Sequence, residues 1–178
     1  MAKKTKITRR AKASRSAWAK IKLFAMDVDG VLTDGRIIVS SEGIESKQFS
    51  ILDGFGLVRL ARAGLHVAWI SGRASGATTA RANELKIAHV IQGRIDKITA
   101  LQELAAQLGL SAAECAYIGD DVIDAAAIAW AGVGITVPDG MPAARAEASY
   151  VTKRPAGFGA AREVCELIAT AKGIALAP

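Results

Sequence analysis

The stretch "AMDVDGVLTDG", residues 25–35, follows an apolar run and sets Asp27, Asp29 and Asp34 in a segment too short to hide them. Further along, "ISGR" presents Ser71, Gly72 and Arg73, "IDK" presents Asp96 and Lys97, and "GDDVID" presents Asp120, Asp121 and Asp124. Clustered carboxylates repel one another, and a hard cation with oxygen ligands, Mg²⁺ above all, relieves that repulsion. Mg²⁺ in turn favours phosphate, and phosphoryl transfer asks mainly for an in-line nucleophile and positive charge against the equatorial oxygens. Asp27 suits the nucleophile, because a carboxylate with an ordinary pKa of about 3.9 is ionised at neutral pH and can form an aspartyl-phosphate. Asp29 would give a proton to the departing ester oxygen and later take one from water. Ser71 can donate to a phosphoryl oxygen, and Lys97 supplies fixed positive charge. The Arg73 guanidinium suits a substrate carboxylate or phosphate.

Such groups are useful only if the chain brings them to one place. Continuous apolar runs, "IKLFAM", "LHVAWI", "HVI", "CAYI", "VGITV" and "YVT", alternate with helically spaced segments such as "GLVRLARAG", "ASGATTARANELK", "KITALQELAAQLG" and "REVCELIATAKG". Strands without a polar face, linked by helices, predict a parallel sheet covered on both sides, an α/β doubly wound domain. Gly64 and Gly109 are expected to stop their helices, and "SAAE" (111–114) reads as a capping box. "GRIIVSSEGIESKQFS", residues 35–50, reads as a β-hairpin inserted after the first strand. In open parallel sheets ligands bind beyond the carboxyl ends of the strands, which is where all of these polar groups fall.

Composition narrows the class. The chain has 178 residues, enough for one domain, and a formal charge of +6. Nine of its 23 Lys and Arg lie in residues 1–22 with no acid, leaving 14 basic against 17 acidic groups elsewhere. The basic excess is therefore read as a flexible tail over residues 1–20, and the acidic balance of the body argues against a nucleic-acid partner. The tail has no apolar core of a secretory signal, and no segment resembles a membrane span. Cys115 and Cys165 lack CxxC spacing and read as core thiols of a cytoplasmic protein. His66 and His89 read as structural.

"DVDGVLTDG", "ISGR", "DK" and "GDDVID", in this order, resemble the four motifs of the haloacid dehalogenase superfamily of phosphatases. With the hairpin, "KQFSILDGFGL", "WISGRAS" and the terminal "YVTKRPAGFGAAREVCELI", the similarity is closest to the phosphatases of 3-deoxy-D-manno-octulosonate 8-phosphate (Kdo 8-phosphate). The likeness spans residues 21–173, leaving 174–178 as a tail. It implies a Rossmann-like phosphatase domain that releases Kdo and inorganic phosphate for lipopolysaccharide sugar synthesis. It also implies Asp27 as nucleophile and Mg²⁺ ligand, Asp29 as acid/base touching the metal through its carbonyl, and Asp120 as the third ligand, with Asp121 and Asp124 supporting. Ser71, Gly72, Arg73 and Lys97 would bind phosphate and substrate. Phe158 of "GFG" departs from the basic or polar residue common in relatives, in a segment that the resemblance lays over a neighbouring subunit's site.

From Asp27 to Ser71 are 44 residues and from Lys97 to Asp120 are 23, so neither gap holds a cap domain. Something else must cover the site, and another copy of the chain is the economical answer. On sequence alone this means an oligomer; the resemblance implies a homotetramer. The sequence leaves alternatives open: a capless phosphatase for a nonulosonate 9-phosphate, a phospho-receiver, a nucleic-acid 3′-phosphatase using the basic tail, or a silent regulatory module. Asp29 argues against the receiver, since an acid/base beside the nucleophile speeds turnover.

Overall fold

The computed structural model describes residues 11–175. Residues 1–10 of the expected basic tail and 176–178 of the expected C-terminal tail lie outside the described residues. Six parallel strands make one sheet: β1 (Leu23–Met26), β4 (His66–Ile70), β5 (His89–Ile91), β6 (Cys115–Ile118), β7 (Val133–Thr136) and β8 (Tyr150–Val151), in the order β5-β4-β1-β6-β7-β8. Each coincides with one of the apolar runs. After β1 the chain crosses to one side for β4 and β5, then returns to the other for β6, which places the switch point between β1 and β6.

Side-chain alternation along these strands divides the core in two. Phe24, Met26, Val67, Trp69, Ala116 and Ile118 face one layer, which holds α2 (Ile51–Arg62) and α7 (Ala160–Lys172). Leu23, Ala25, Ala68, Ile70, Cys115 and Tyr117 face the other, packed on α4 (Lys97–Gln107) and α5 (Ala125–Trp130). Two further helices complete the layers, α3 (Gly76–Glu84) and α6 (Pro142–Glu147). The punctuation falls where expected: Gly64 and Gly109 take φ of +86° and +66° just past α2 and α4, and the Ser111 N–H donates to Glu114 Oε2 at 3.0 Å. Both cysteines are free and buried, and burial pushes the Cys115 thiol up to about 11. The His66 and His89 rings lie 5.6 Å apart on adjacent strands.

The folded body begins earlier than the sequence suggests. Arg15–Lys20, expected within the flexible tail, forms α1, capped by Ser14, whose Oγ accepts from the Ala17 N–H at 3.2 Å. Trp18 anchors it, only 5% exposed and edge-on to Tyr150 at 5.5 Å between ring centroids. One buried aromatic outweighs the repulsion of the surrounding exposed cations. At the other end, Ile174 packs on the core rather than belonging to a free tail.

The insertion is a hairpin of two short antiparallel strands, β2 (Ile38–Val39) and β3 (Glu45–Ser46). Among the described residues no second domain covers the sheet.

Candidate active site

Asp27 is the first residue past β1. Its N–H donates to Ile118 O at 3.0 Å, continuing the sheet ladder for one bond, and its Oδ1 accepts from the Val28 N–H at 2.7 Å. The carboxylate is therefore fixed at the rim between β1 and β6. Lys97, the first residue of α4, sends a fully buried side chain to the same point. Its Nζ lies 2.7 Å from Asp27 Oδ2 and donates to Asp124 Oδ1 at 3.0 Å. Burial opposes the ammonium charge, but Asp27 and then Asp124 outweigh it and hold the Lys97 pKa above its ordinary value.

Asp124 is the structural centre of the cluster. It closes a 3₁₀ turn, Val122–Asp124, after β6. Its Oδ1 accepts from Lys97 Nζ and from the Tyr117 hydroxyl at 2.7 Å, and its Oδ2 from the N–H groups of Asp120 and Asp121 at 3.2 and 3.1 Å. Those four bonds take up what a carboxylate can accept. The Tyr117 phenol is held well above its usual pKa, by burial and then by Asp124, and so stays a donor. Nothing in the sequence marked Tyr117, which sits inside an apolar strand.

Asp120 contrasts with that saturation. Its Oδ1 is buried without a hydrogen-bond partner, and Asp27, Asp120 and Asp124 each offer an oxygen within 4.8 Å of the others. Burial, then neighbouring carboxylates, raise both Asp27 and Asp120 from an ordinary 3.8 to about 7. An orphaned buried oxygen among crowded carboxylates is a fit for a hard divalent cation, whose charge would relieve both. Gly30, at φ +86°, keeps this space open, because a Cβ there would collide with the Asp120 carboxylate. Asp121, grouped with Asp124 on sequence, is exposed and is not one of the three clustered carboxylates. Its Oδ1 caps the 3₁₀ turn by accepting from the Val122 N–H at 2.6 Å.

Ser71 is the first residue past β4, buried, and its Oγ accepts from the Arg73 N–H at 3.2 Å. A Cβ on Gly72 would lie 3.9 Å from Lys97 Cε, which puts the 71–73 turn beside the lysine. Arg73 turns to the hairpin instead of the carboxylate cluster, its Nη2 donating to Glu45 Oε2 at 2.6 Å. Asp34 makes a turn of its own: its Oδ1 accepts from the Arg36 N–H at 3.0 Å. Asp29 faces Lys47, a residue absent from the sequence-based site. Lys47 Nζ lies 2.7 Å from Asp29 Oδ1 and donates to Oδ2 at 3.0 Å.

Asp53 was also invisible in the sequence. Buried in α2, it accepts from the N–H groups of Gly159 and Arg162 at 3.2 and 2.7 Å and so caps the neighbouring α7. The "AGFG" loop before α7 lies against the motif loop after β1, where the Gly157 N–H donates to Val31 O at 3.0 Å. Phe158 is 63% exposed at its tip.

Residues 65–163 match the family model for haloacid dehalogenase-like hydrolases, a span that includes Ser71, Lys97, Asp120 and Asp124. The 3-deoxy-D-manno-octulosonate 8-phosphate phosphatase KdsC of Yersinia pestis is 43% identical over 154 residues, covering 86% of this chain and 82% of the relative. The enzyme of the same name from Escherichia coli K12 is 38% identical over 153 residues, covering 86% and 81%. Among solved structures, the Moraxella catarrhalis 3-deoxy-D-manno-octulosonate 8-phosphate phosphatase, in complex with magnesium, phosphate and KDO, superposes with a TM-score of 0.88. It is 50% identical and covers 89% of this chain and 91% of that one.

Proposed function

The chain belongs to the haloacid dehalogenase-like hydrolases, among the Kdo 8-phosphate phosphatases, and from that premise we propose that it hydrolyses Kdo 8-phosphate to Kdo and inorganic phosphate, in the lipopolysaccharide sugar pathway. The observation that carries this reading is Asp27 at the β1 rim, 2.7 Å from a buried Lys97 and within one acidic cluster with Asp120.

An Asp27 carboxylate oxygen attacks phosphorus in line with the ester oxygen at C8. The phosphorus–oxygen bond breaks, the electron pair leaves with that oxygen, and Asp29 delivers its proton there. Asp29, now ionised, takes a proton from water as the water oxygen attacks the aspartyl-phosphate, which frees Asp27 and inorganic phosphate. Lys97 and the Ser71 hydroxyl set positive charge and a hydrogen bond against the transferred oxygens, and Arg73 meets the substrate's anionic end once released from Glu45. Asp27, Asp120 and the Asp29 carbonyl would hold Mg²⁺, which supplies charge neutralisation at the phosphoryl group when bound. Asp124 acts as the anchor of Lys97 and the β6 turn, with Asp121 as that turn's cap.

The reaction is assigned to the cytoplasm, in keeping with the two free thiols and with no described helix long and apolar enough to cross a membrane. Exposed Ile38, Val39 and Ile44 on the hairpin support self-assembly, and a homotetramer closes each site with a neighbour.

Phosphate release from Kdo 8-phosphate, nonulosonate 9-phosphates, simple sugar phosphates and a 3′-phosphorylated oligonucleotide, with Mg²⁺ or chelator, tests the reading. The expected result is a strong Mg²⁺-dependent preference for Kdo 8-phosphate. Equal rates across the panel overturn the substrate, and activity that survives chelation overturns the metal.

A further inference from the structure

We infer that Lys47 is a positioning residue for proton transfer: from the hairpin it holds the Asp29 carboxylate in place. The inference rests on Asp29 as acid/base and adds the residue that orients it. The Lys47 side chain has no solvent exposure, although it leaves a hairpin whose own residues are mostly exposed. Lysine is almost never wholly buried unless its ammonium is paired.

The pairing here is directional. An ammonium has three protons, and three groups surround this one: Asp29 at 2.7 and 3.0 Å, Thr78 Oγ1 at 3.2 Å and Glu45 Oε1 at 3.7 Å. Glu45 is itself held by the Ser75 hydroxyl and Arg73 Nη2, each at 2.6 Å. Ser75 is the N-cap of α3 and Thr78 lies in that helix's first turn, so the contacts run from the helical frame through Lys47 to Asp29.

Asp29 depends on this arrangement more than its neighbours do. Asp27 is tied to the sheet by its own backbone and Asp124 by four hydrogen bonds. Among the described residues, Lys47 is the one side chain in ion-pair or hydrogen-bond contact with the Asp29 carboxylate. Proton transfer needs the carboxyl within about 2.6–3.2 Å of the ester oxygen, and a carboxylate free to rotate is seldom there. The contacts of Lys47 are to Asp29, Thr78 and Glu45, so the role inferred for it passes through Asp29.

The test uses aryl phosphates graded from phenyl to p-nitrophenyl phosphate, none of which carries a carboxylate. Their kcat/KM reports the steps up to aspartyl-phosphate formation. A poor leaving group needs the Asp29 proton and a good one does not. For Lys47→Met and for Asp29→Asn, kcat/KM is expected to fall about 100-fold on phenyl phosphate and less than about threefold on p-nitrophenyl phosphate. Lys47→Gln, which retains donors, shows the same trend with a smaller slope. The ratio between esters is read within one preparation, so a partly folded sample leaves it unchanged. An equal loss on all esters for both Lys47 variants, with Asp29→Asn still selective, overturns the role of Lys47 alone. If Asp29→Asn is itself unselective, the acid/base assignment fails and this inference with it.

Discussion

The strand ends of β1, β4 and β6 and the β2–β3 hairpin contribute to one site, and they are built on opposite terms. At the strand ends Asp27 and Asp124 are bound by groups fixed in the sheet and in the turns and helix that join it: Asp27 by Val28 and Lys97, and Asp124 by Lys97, Tyr117 and two backbone amides. The hairpin has two residues per strand, exposes Val39 and Ile44 by 61% and 65%, and is tied down chiefly through Lys47 and Glu45. A short hairpin is marginal by itself. The sheet rim is complete within one chain, whereas the hairpin turns its polar end to the site and its apolar end outward.

If the rim holds the chemistry, its loss is the largest effect. Asp27→Asn should lower phosphate release at least about a thousand-fold while the protein stays folded, since it removes one charge from a crowded cluster and Lys97 keeps Asp124. Near-normal turnover by this variant would break the comparison at its root. Asp124→Ala should do the opposite to stability. It leaves the Tyr117 hydroxyl and two amides without their acceptor in a buried site and Lys97 with Asp27 alone, and a loss of about 3–5 kcal/mol in chemical denaturation is expected. A loss below about 1 kcal/mol would mean that Asp124 is not the anchor.

Metal removal probes the same region with a definite sign. Asp27 and Asp120 titrate near 7 in the metal-free fold, against an ordinary 3.8, so the folded state binds more protons than the unfolded one between those values. Their contribution is fully present below about pH 4 and is lost as pH rises through about 7. In chelator, the melting temperature should therefore carry a falling component over that window. Saturating Mg²⁺ should reduce it and raise the melting temperature at pH 7, and Asp120→Asn should remove most of the metal's effect. Identical melting curves with and without Mg²⁺ would count against the cation site.

The two regions also differed in how far the sequence disclosed them. Asp27, Ser71, Lys97 and Asp120 were legible because each follows an uninterrupted apolar run or opens a helix, and strand ends in a parallel sheet converge. Lys47 was not, because it follows a short, exposed strand and meets Asp29 18 residues back. Asp53 was not, since the helix it caps lies 106 to 109 residues later. Spacing alone put three carboxylates in "GDDVID", but only the 3₁₀ turn decides that Asp124 is buried among the site's donors and Asp121 is the turn's exposed cap. In α1 the charges concealed the one residue that matters, Trp18. The Ala-rich α5 and the six-residue α6 are too short and uniform to show a period.

The smallest effect on the single chain belongs at the outward end of the hairpin. Val39 is exposed and its side chain enters neither core layer, so Val39→Lys should change intrinsic stability by less than about 0.5 kcal/mol. If hairpins pack together between copies, the same change buries a lysine in an apolar contact, and sedimentation should show smaller species. Activity on the sugar acid phosphate should then fall with the loss of assembly, while p-nitrophenyl phosphate, which needs little cover, is hydrolysed at nearly the original rate. An unchanged sedimentation coefficient would place the contact between copies elsewhere, and the hairpin's part would shrink to holding Lys47 over Asp29.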